Sequence, residues 1–197
     1  YKVLVKVVRN VPSLPEHIQE NNSDTKPVFT VIMQGAGINV DRGAEELVQA
    51  ADYLDEQFKI LIVGKGDVWA SLERLLEEKP ERKHLVNLVP SVPYEQLIEL
   101  SRTANLGVSL DKPSNLNYLY SLPNKLFDYC LAGMPVLVSN MVEVAKVVQN
   151  NNVGWVLPNV EPKELANAIK AIKNNHAEYE LKKQAAKQLH KRYNWQQ

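Results

Sequence analysis

The chain has 197 residues, enough for one well-buried core, and its 23 basic and 23 acidic side chains balance, so no net field gathers nucleic acid or a membrane surface and partners must be recognised at a site. A single cysteine, Cys130, lies in the apolar run Phe127-Asp128-Tyr129-Cys130-Leu131-Ala132, which excludes an internal disulfide framework and reads as core packing in a reducing compartment. No apolar run approaches the ~18 to 20 residues that span a bilayer, and Tyr1 to Lys6 lack a signal-peptide cleavage site, so a cytoplasmic protein is expected.

Along the chain, Lys2 to Val8 has strand character, and Asn10-Val11-Pro12-Ser13-Leu14-Pro15 with the polar stretch Glu20 to Lys26 reads as a linker. Val28 to Gly35 is an apolar, β-branched run ending at glycine, and Ala44 to Leu54 then places Leu47, Ala51 and Leu54 on one helical face. Lys59 to Val63 predicts a second strand that stops at Gly64-Lys65-Gly66, after which Asp67 is the expected cap of a helix with Trp69, Leu72 and Leu76 in one stripe. Leu85 to Val89 precedes Pro93 and a helix over Tyr94 to Ser101; Leu106 to Leu110 precedes Pro123 and a helix to about Ala132. Pro135 to Ser139 is followed by a helix over Val142 to Gln149, and Gly154 to Leu157 by Pro162 and a helix aligning Leu165, Ala168, Ile169 and Ile172. Ala177 to Tyr193 is a last helix with a thin apolar face of Leu181, Ala185, Gln188 and Leu189, either a surface helix or one that packs on a further domain.

Continuous apolar strands suit a sheet covered on both faces, and strand-helix alternation implies parallel pairing with right-handed crossovers. The expected fold is a doubly wound, Rossmann-like α/β sheet of about six strands, with residues 1–27 as a linker, 28–175 as the domain and 176–197 as a terminal helix. In such sheets ligands bind beyond the carboxyl ends of the strands.

The strand-to-helix junctions carry groups suited to a diphosphate. At the first, Gly35 and Gly37 permit close backbone approach and Arg42 offers a forked, permanently charged donor, or else a solvated surface charge beside a structural turn. At the second, Gly64 and Lys65 form either a tight turn or a ligand contact. At the fourth, the amides over Ser121, Leu122, Pro123 and Asn124 open a helix, with Lys125 as ligand contact or solvated side chain. Asp128, one turn in, is either a ribose-diol acceptor or an ordinary helix ion-pair partner. His17, His84, His176 and His190 have no ligand spacing, so no metal is expected. No Gly-x-Gly-x-x-Gly follows the first clear strand, which disfavours a nicotinamide-binding domain.

The ordered series Gly35…Arg42-Gly43, Leu61-Ile62-Val63-Gly64-Lys65-Gly66-Asp67, Ser121-Leu122-Pro123-Asn124-Lys125-Leu126-Phe127-Asp128-Tyr129…Ala132-Gly133-Met134-Pro135 and Gly154-Trp155-Val156-Leu157-Pro158 resembles the carboxy-terminal, nucleotide-sugar-binding domain of family 4 retaining glycosyltransferases of the GT-B fold. Each motif alone is common, but their succession from Val28 to Asn175 is specific. Asn10-Val11-Pro12 and Tyr193-Asn194-Trp195 resemble the segments that join this domain to an amino-terminal acceptor domain. The resemblance implies hexosyl transfer from a UDP- or GDP-linked sugar to a glycan or lipid-linked saccharide, without a metal. It implies Arg42 on the donor diphosphate, amides before Lys125 on the phosphates, the loop after Val89 and Pro90 against the base, and Asp128 on the ribose. Arg42 and Asp128 are thus the expected catalytic pair, Asp128 being one methylene shorter than the family's usual glutamate.

Two positions depart from the pattern. Ala36 stands where the family carries a basic residue, and Tyr120 stands where it carries a first acid; Asn117 and Lys125 are the candidate replacements. Loss of one charge-assisted contact to a leaving phosphate costs ~3 kcal/mol of transition-state stabilisation unless replaced. These departures leave room for an alternative, a degenerate, non-catalytic assembly module.

Overall fold

The computed structural model describes residues 28–189. The expected strand over Lys2 to Val8, the linker after it and the Tyr193-Asn194-Trp195 segment lie outside the described residues.

Six strands, β1 (Phe29–Gly35), β2 (Phe58–Gly64), β3 (Val86–Pro90), β4 (Leu106–Ser109), β5 (Val136–Ser139) and β6 (Gly154–Leu157), form one parallel sheet in the order β3-β2-β1-β4-β5-β6. Helices α1 (Ala44–Ala50), α2 (Trp69–Glu78), α3 (Tyr94–Thr103), α4 (Leu116–Tyr120), α5 (Lys125–Leu131), α6 (Val142–Asn151), α7 (Pro162–Asn174) and α8 (His176–Leu189) complete the described chain. The doubly wound expectation is met, and the strand order reverses between β1 and β4, the place where such sheets open a crevice.

Strand periodicity distributes the apolar side chains between two cores. Val31 and Met33 of β1 join Leu47, Val48, Leu72, Leu165 and Ile169 on one face, whereas Ile32 joins Leu126, Tyr129, Val144, Val148 and Leu189 on the other. Each such fully buried aliphatic side chain contributes ~1.5 to 3 kcal/mol relative to exposure.

A single tyrosine shapes the reversal point. The β1–β4 register is Val31 with Leu106 and Ile32 with Gly107. Beyond it the phenol of Tyr129 enters between the strands, accepting the Gln34 N–H at 3.0 Å and donating to the Val108 carbonyl at 3.1 Å. Its ring lies on Gly107, where a Cβ would come within 2.3 Å of the ring carbons, so this strand position has room only for glycine.

Three local expectations are corrected. Asp67 does not cap α2, whose first turn has no side-chain cap; its carboxylate accepts the Val40 N–H at 2.9 Å and so ties the second junction to the first. A five-residue helix, α4, was not anticipated; Asn115 caps it by accepting the Tyr118 N–H at 2.9 Å. In α8, Leu189 of the expected face is buried and Ala185 half-buried, whereas Leu181 and Gln188 are exposed; the buried face is Tyr179, Lys182, Ala186 and Leu189. This face packs on α5, α6, α7 and β6, with the aliphatic stem of Lys182 covered and its ammonium reaching Asn152 at 2.8 Å.

Candidate functional site

A cleft of about 500 Å³ lies past the end of β1, beside the starts of α3 and α5, in the size range of small-molecule sites. It is lined by Met33, Gln34, Gly35, Ala36, Gly37, Ile38, Arg42, Tyr94, Leu97, Pro123, Asn124, Lys125 and Asp128. The first junction and the start of α5 therefore meet across one cavity.

The first junction is held by backbone contacts. Ile38 N–H donates to the Lys65 carbonyl at 2.8 Å, and a Cβ on Gly64 would lie 1.9 Å from the Gly35 oxygen, with φ at +147°. Gly66 is pressed as closely against the Ile38 backbone. Gly64 and Lys65 thus serve the turn and do not line the cleft, and the Lys65 side chain is exposed. Gly35 and Gly37, by contrast, have ordinary space around a would-be Cβ and no positive φ, so the open volume there belongs to the cleft and not to a turn requirement.

Arg42 is positioned by the loop around it. Lys112 N–H donates to the Asp41 carbonyl at 2.8 Å, and Gly43, at φ +76°, sits against Leu110 where a Cβ would be 2.5 Å from the Leu110 Cβ. This brings the guanidinium over the Tyr118 ring, 4.5 Å from its centroid, with Nη1 3.2 Å from Oδ1 of Asp111. Asp111, only 1 % exposed, follows β4. The Arg42 Nε is buried with no hydrogen-bond partner among the described residues. Beside it, Lys125 is desolvated, which lowers its ammonium below the ordinary lysine range; Asp111 opposes that shift and Arg42 adds to it. At this end of the cleft two cations thus face one buried carboxylate, Asp111.

At the other end stands Asp128, 8 % exposed. Tyr94 donates its hydroxyl proton to Oδ1 at 2.8 Å, and Gln34 donates Nε2–H to Oδ2 at 3.3 Å. Gln34 is fixed in that orientation because Ser101 donates to its Oε1 at 2.6 Å. Burial raises the Asp128 carboxyl above the usual range, with the two hydrogen bonds opposing the rise. Burial and the neighbouring carboxylate push the Tyr94 phenol up, so it remains a proton donor. Cys130, next to this network, is buried and its thiol is pushed up to about 12, which suits packing and not nucleophilic chemistry.

Of the residues singled out from sequence, Gly35, Gly37, Arg42, Pro123, Asn124, Lys125 and Asp128 line the cleft together. Gly64, Lys65, Val89, Pro90, Ser121 and Leu122 do not; Val89 and Pro90 end β3, paired with Val63 and Gly64. Of the two replacement candidates, Lys125 lines the cleft and Asn117 stands exposed on α4. With seven residues, α5 has a small macrodipole, so the side chains of Arg42 and Lys125 carry more of the positive potential than the sequence reading assigned to helix amides. Gln34, Tyr94, Ser101 and Asp111 were not anticipated.

Comparison with known proteins bears on the fold and the family. The chain is 31% identical over 105 residues to Glucosyltransferase 3 of Streptococcus parasanguinis, a match spanning 52% of this chain and 29% of that protein. Its fold is similar to that of the Anabaena protein HepE in complex with UDP-glucose (TM-score 0.71, 16% identity, 85% of this chain and 45% of that one). It is similar also to WaaG, a glycosyltransferase involved in lipopolysaccharide biosynthesis (TM-score 0.67, 16% identity, 85% of this chain and 44% of that one). The match thus spans less than half the length of each of these proteins. A family model, glycosyl transferases group 1, matches residues 14–192, and the chain belongs to that family.

Proposed function

We propose that the cleft receives the diphosphate and ribose of a nucleotide-sugar donor, UDP- or GDP-linked, and that the chain is the donor-binding part of a retaining glycosyltransferase. The observation that carries this reading is the convergence of Arg42, Lys125 and Asp128 on one cavity at the point of strand reversal. Two cations supply charge for a diphosphate, the open space at Gly35 and Gly37 admits its close approach, and the Asp128 corner faces the ribose. In the reaction, the leaving diphosphate gains negative charge as its bond to the anomeric carbon breaks, and Arg42 and Lys125 are positioned to stabilise that charge. No metal is invoked in this step. The acceptor groove belongs, in this reading, to a further domain. HepE is described with UDP-glucose bound, which supports a uridine donor and a hexosyl group. The acceptor follows as a glycan or lipid-linked saccharide, handled in the cytoplasm.

Titration calorimetry with UDP, UDP-glucose and GDP tests the reading. Arg42→Ala is expected to lose tenfold or more in affinity, since a hydrogen bond to a charged group contributes ~1.5 to 3 kcal/mol. Equal binding by the variant removes Arg42 from its role.

Two observations favour a second reading, a non-catalytic assembly module: Ala36 lines the cleft without a charge, and Asp111 already engages Arg42. Its signature is a full-length protein that binds no nucleotide.

A further inference from the structure

The Asp128 carboxylate is not bare toward the cleft. Oδ2 is engaged by Gln34, a side chain 2 % exposed that Ser101 holds on its far side and that cannot withdraw without leaving buried polar groups unpaired. Oδ1 is engaged by Tyr94 at 2.8 Å. Tyr94 differs from the other members of the network in being 50 % exposed, at the first residue of α3, while it also lines the cleft. Tyr94 and Asp128 both line the cavity, and of the two it is Tyr94 that is half exposed while Asp128 is buried, 8 % exposed.

A phenol has one proton and two acceptor lone pairs. Here the proton is committed to a carboxylate, which leaves the oxygen as an acceptor only, and the charge-assisted bond behind it polarises the O–H so that this acceptor is strengthened. A group of that kind recognises a hydroxyl donor and offers nothing to a carbonyl or a phosphate oxygen.

We propose that Tyr94 is the residue that reads a ribose hydroxyl, and that Asp128 acts through it as a positioning residue, with Gln34 and Ser101 fixing the carboxylate. This deepens the donor-cleft reading and rests on it. Tyr94 would then set the preference for a ribonucleotide over a nucleotide lacking sugar hydroxyls, a specificity that neither cation supplies.

The test compares UDP with 2′,3′-dideoxy-UDP by calorimetry, on the full chain and on Tyr94→Phe, with inorganic pyrophosphate as a third ligand. Thermal melting confirms that the variant is folded. The wild type is expected to favour UDP by about five- to tenfold, the equivalent of one net hydrogen bond. Tyr94→Phe is expected to lose that preference by weakening UDP binding alone, with dideoxy-UDP and pyrophosphate affinities unchanged. A preference that Tyr94→Phe leaves intact or increases means that the hydroxyl reaches Asp128 directly, and overturns the proposal while the donor cleft stands. Parallel losses for all three ligands would assign Tyr94 to packing and also overturn it. Equal binding of UDP and dideoxy-UDP by the wild type removes the ribose from this corner, and with it the donor-cleft placement on which the proposal rests.

Discussion

Two arginine–aspartate pairs, one between the turns that follow α1 and α2 and one at the cleft, separate what holds this protein together from what equips it to bind. In the first, Arg82 donates from Nε to Asp52 Oδ1 at 2.7 Å, from Nη2 to Oδ2 at 2.8 Å and from Nη1 to the Leu75 carbonyl at 2.9 Å, while Lys79 closes the remaining side of the carboxylate. The fork is matched to its partner, and the group joins the end of α1 to the end of α2. In the second, Arg42 makes one contact of 3.2 Å to Asp111, rests on Tyr118 and leaves Nε without a partner among the described residues. A guanidinium whose three nitrogens all donate to the protein stabilises a fold; one held in place by a ring and a single oxygen keeps donors for a ligand. The distinction lies in how many donors are engaged and not in residue type, which is why the two pairs look alike in sequence.

The comparison breaks first at Arg82. Arg82→Ala removes three donated hydrogen bonds and leaves Asp52 with Lys79 alone, so a loss of about 2 kcal/mol in unfolding free energy is expected, below the cost of a fully buried pair because Asp52 is partly exposed. Nucleotide affinity should be unchanged, the mirror image of Arg42→Ala. Urea unfolding and calorimetry on both variants check the pair of outcomes; a loss of affinity at Arg82→Ala would erase the distinction. Acid is a gentler probe of the same pair. The Arg82 hydrogen bonds, and after them Lys79, hold the Asp52 carboxyl down at about 2 against burial. A depressed carboxyl contributes stability that is complete above its unfolded value and lost as pH falls through the folded one, so the contribution fades from about pH 4 to pH 2. Screening at this solvent-facing site leaves about 1 kcal/mol. The stability gap between the wild type and Asp52→Asn should therefore close over that window, and a gap constant in pH would contradict the assignment.

The sheet was readable because each strand is a short β-branched run and each crossover an amphipathic segment, both local properties. What escaped depends on partners far along the chain. Asp67 has the residue type and place of a helix cap, yet it is drawn to Val40 N–H across the neighbouring junction, a contact no local window contains. The helix α4 has five residues and no apolar period, and its one visible sign was Asn115, a good cap residue three positions before Tyr118. In α8 the expected face shares Leu189 and part of Ala185 with the observed one, which turns toward Lys182 because the stem of that side chain is buried. Arg42, Lys125 and Asp128 were legible because they sit at strand-to-helix junctions, where glycine and proline mark the turns. Gln34, Tyr94, Ser101 and Asp111 come from β1, from two positions on α3 and from the segment after β4, and only the parallel crossovers gather them. Asp128 was read for its carboxylate, and what sequence could not disclose was that its oxygens are already engaged.

Asp111 offers the finest division between the two pairs, because it serves Lys125 as well as Arg42. Desolvation pulls the Lys125 ammonium down, Arg42 pulls it further, and the Asp111 charge pushes it back up. Asp111→Asn keeps the shape and removes that upward push, so Lys125 in the variant must lose its proton at a lower pH than in the wild type. Only the protonated ammonium attracts a diphosphate, and affinity therefore falls as pH rises through the Lys125 titration. For a partly screened charge contact the expected fall is about threefold. UDP binding followed as pH rises should show this decline at a lower pH in the variant than in the wild type. Lys125→Met in the Asp111→Asn background should flatten it. Curves that decline together would mean that Asp111 steadies Arg42 alone, and curves without a decline would mean that the cleft draws its anion with one cation instead of two.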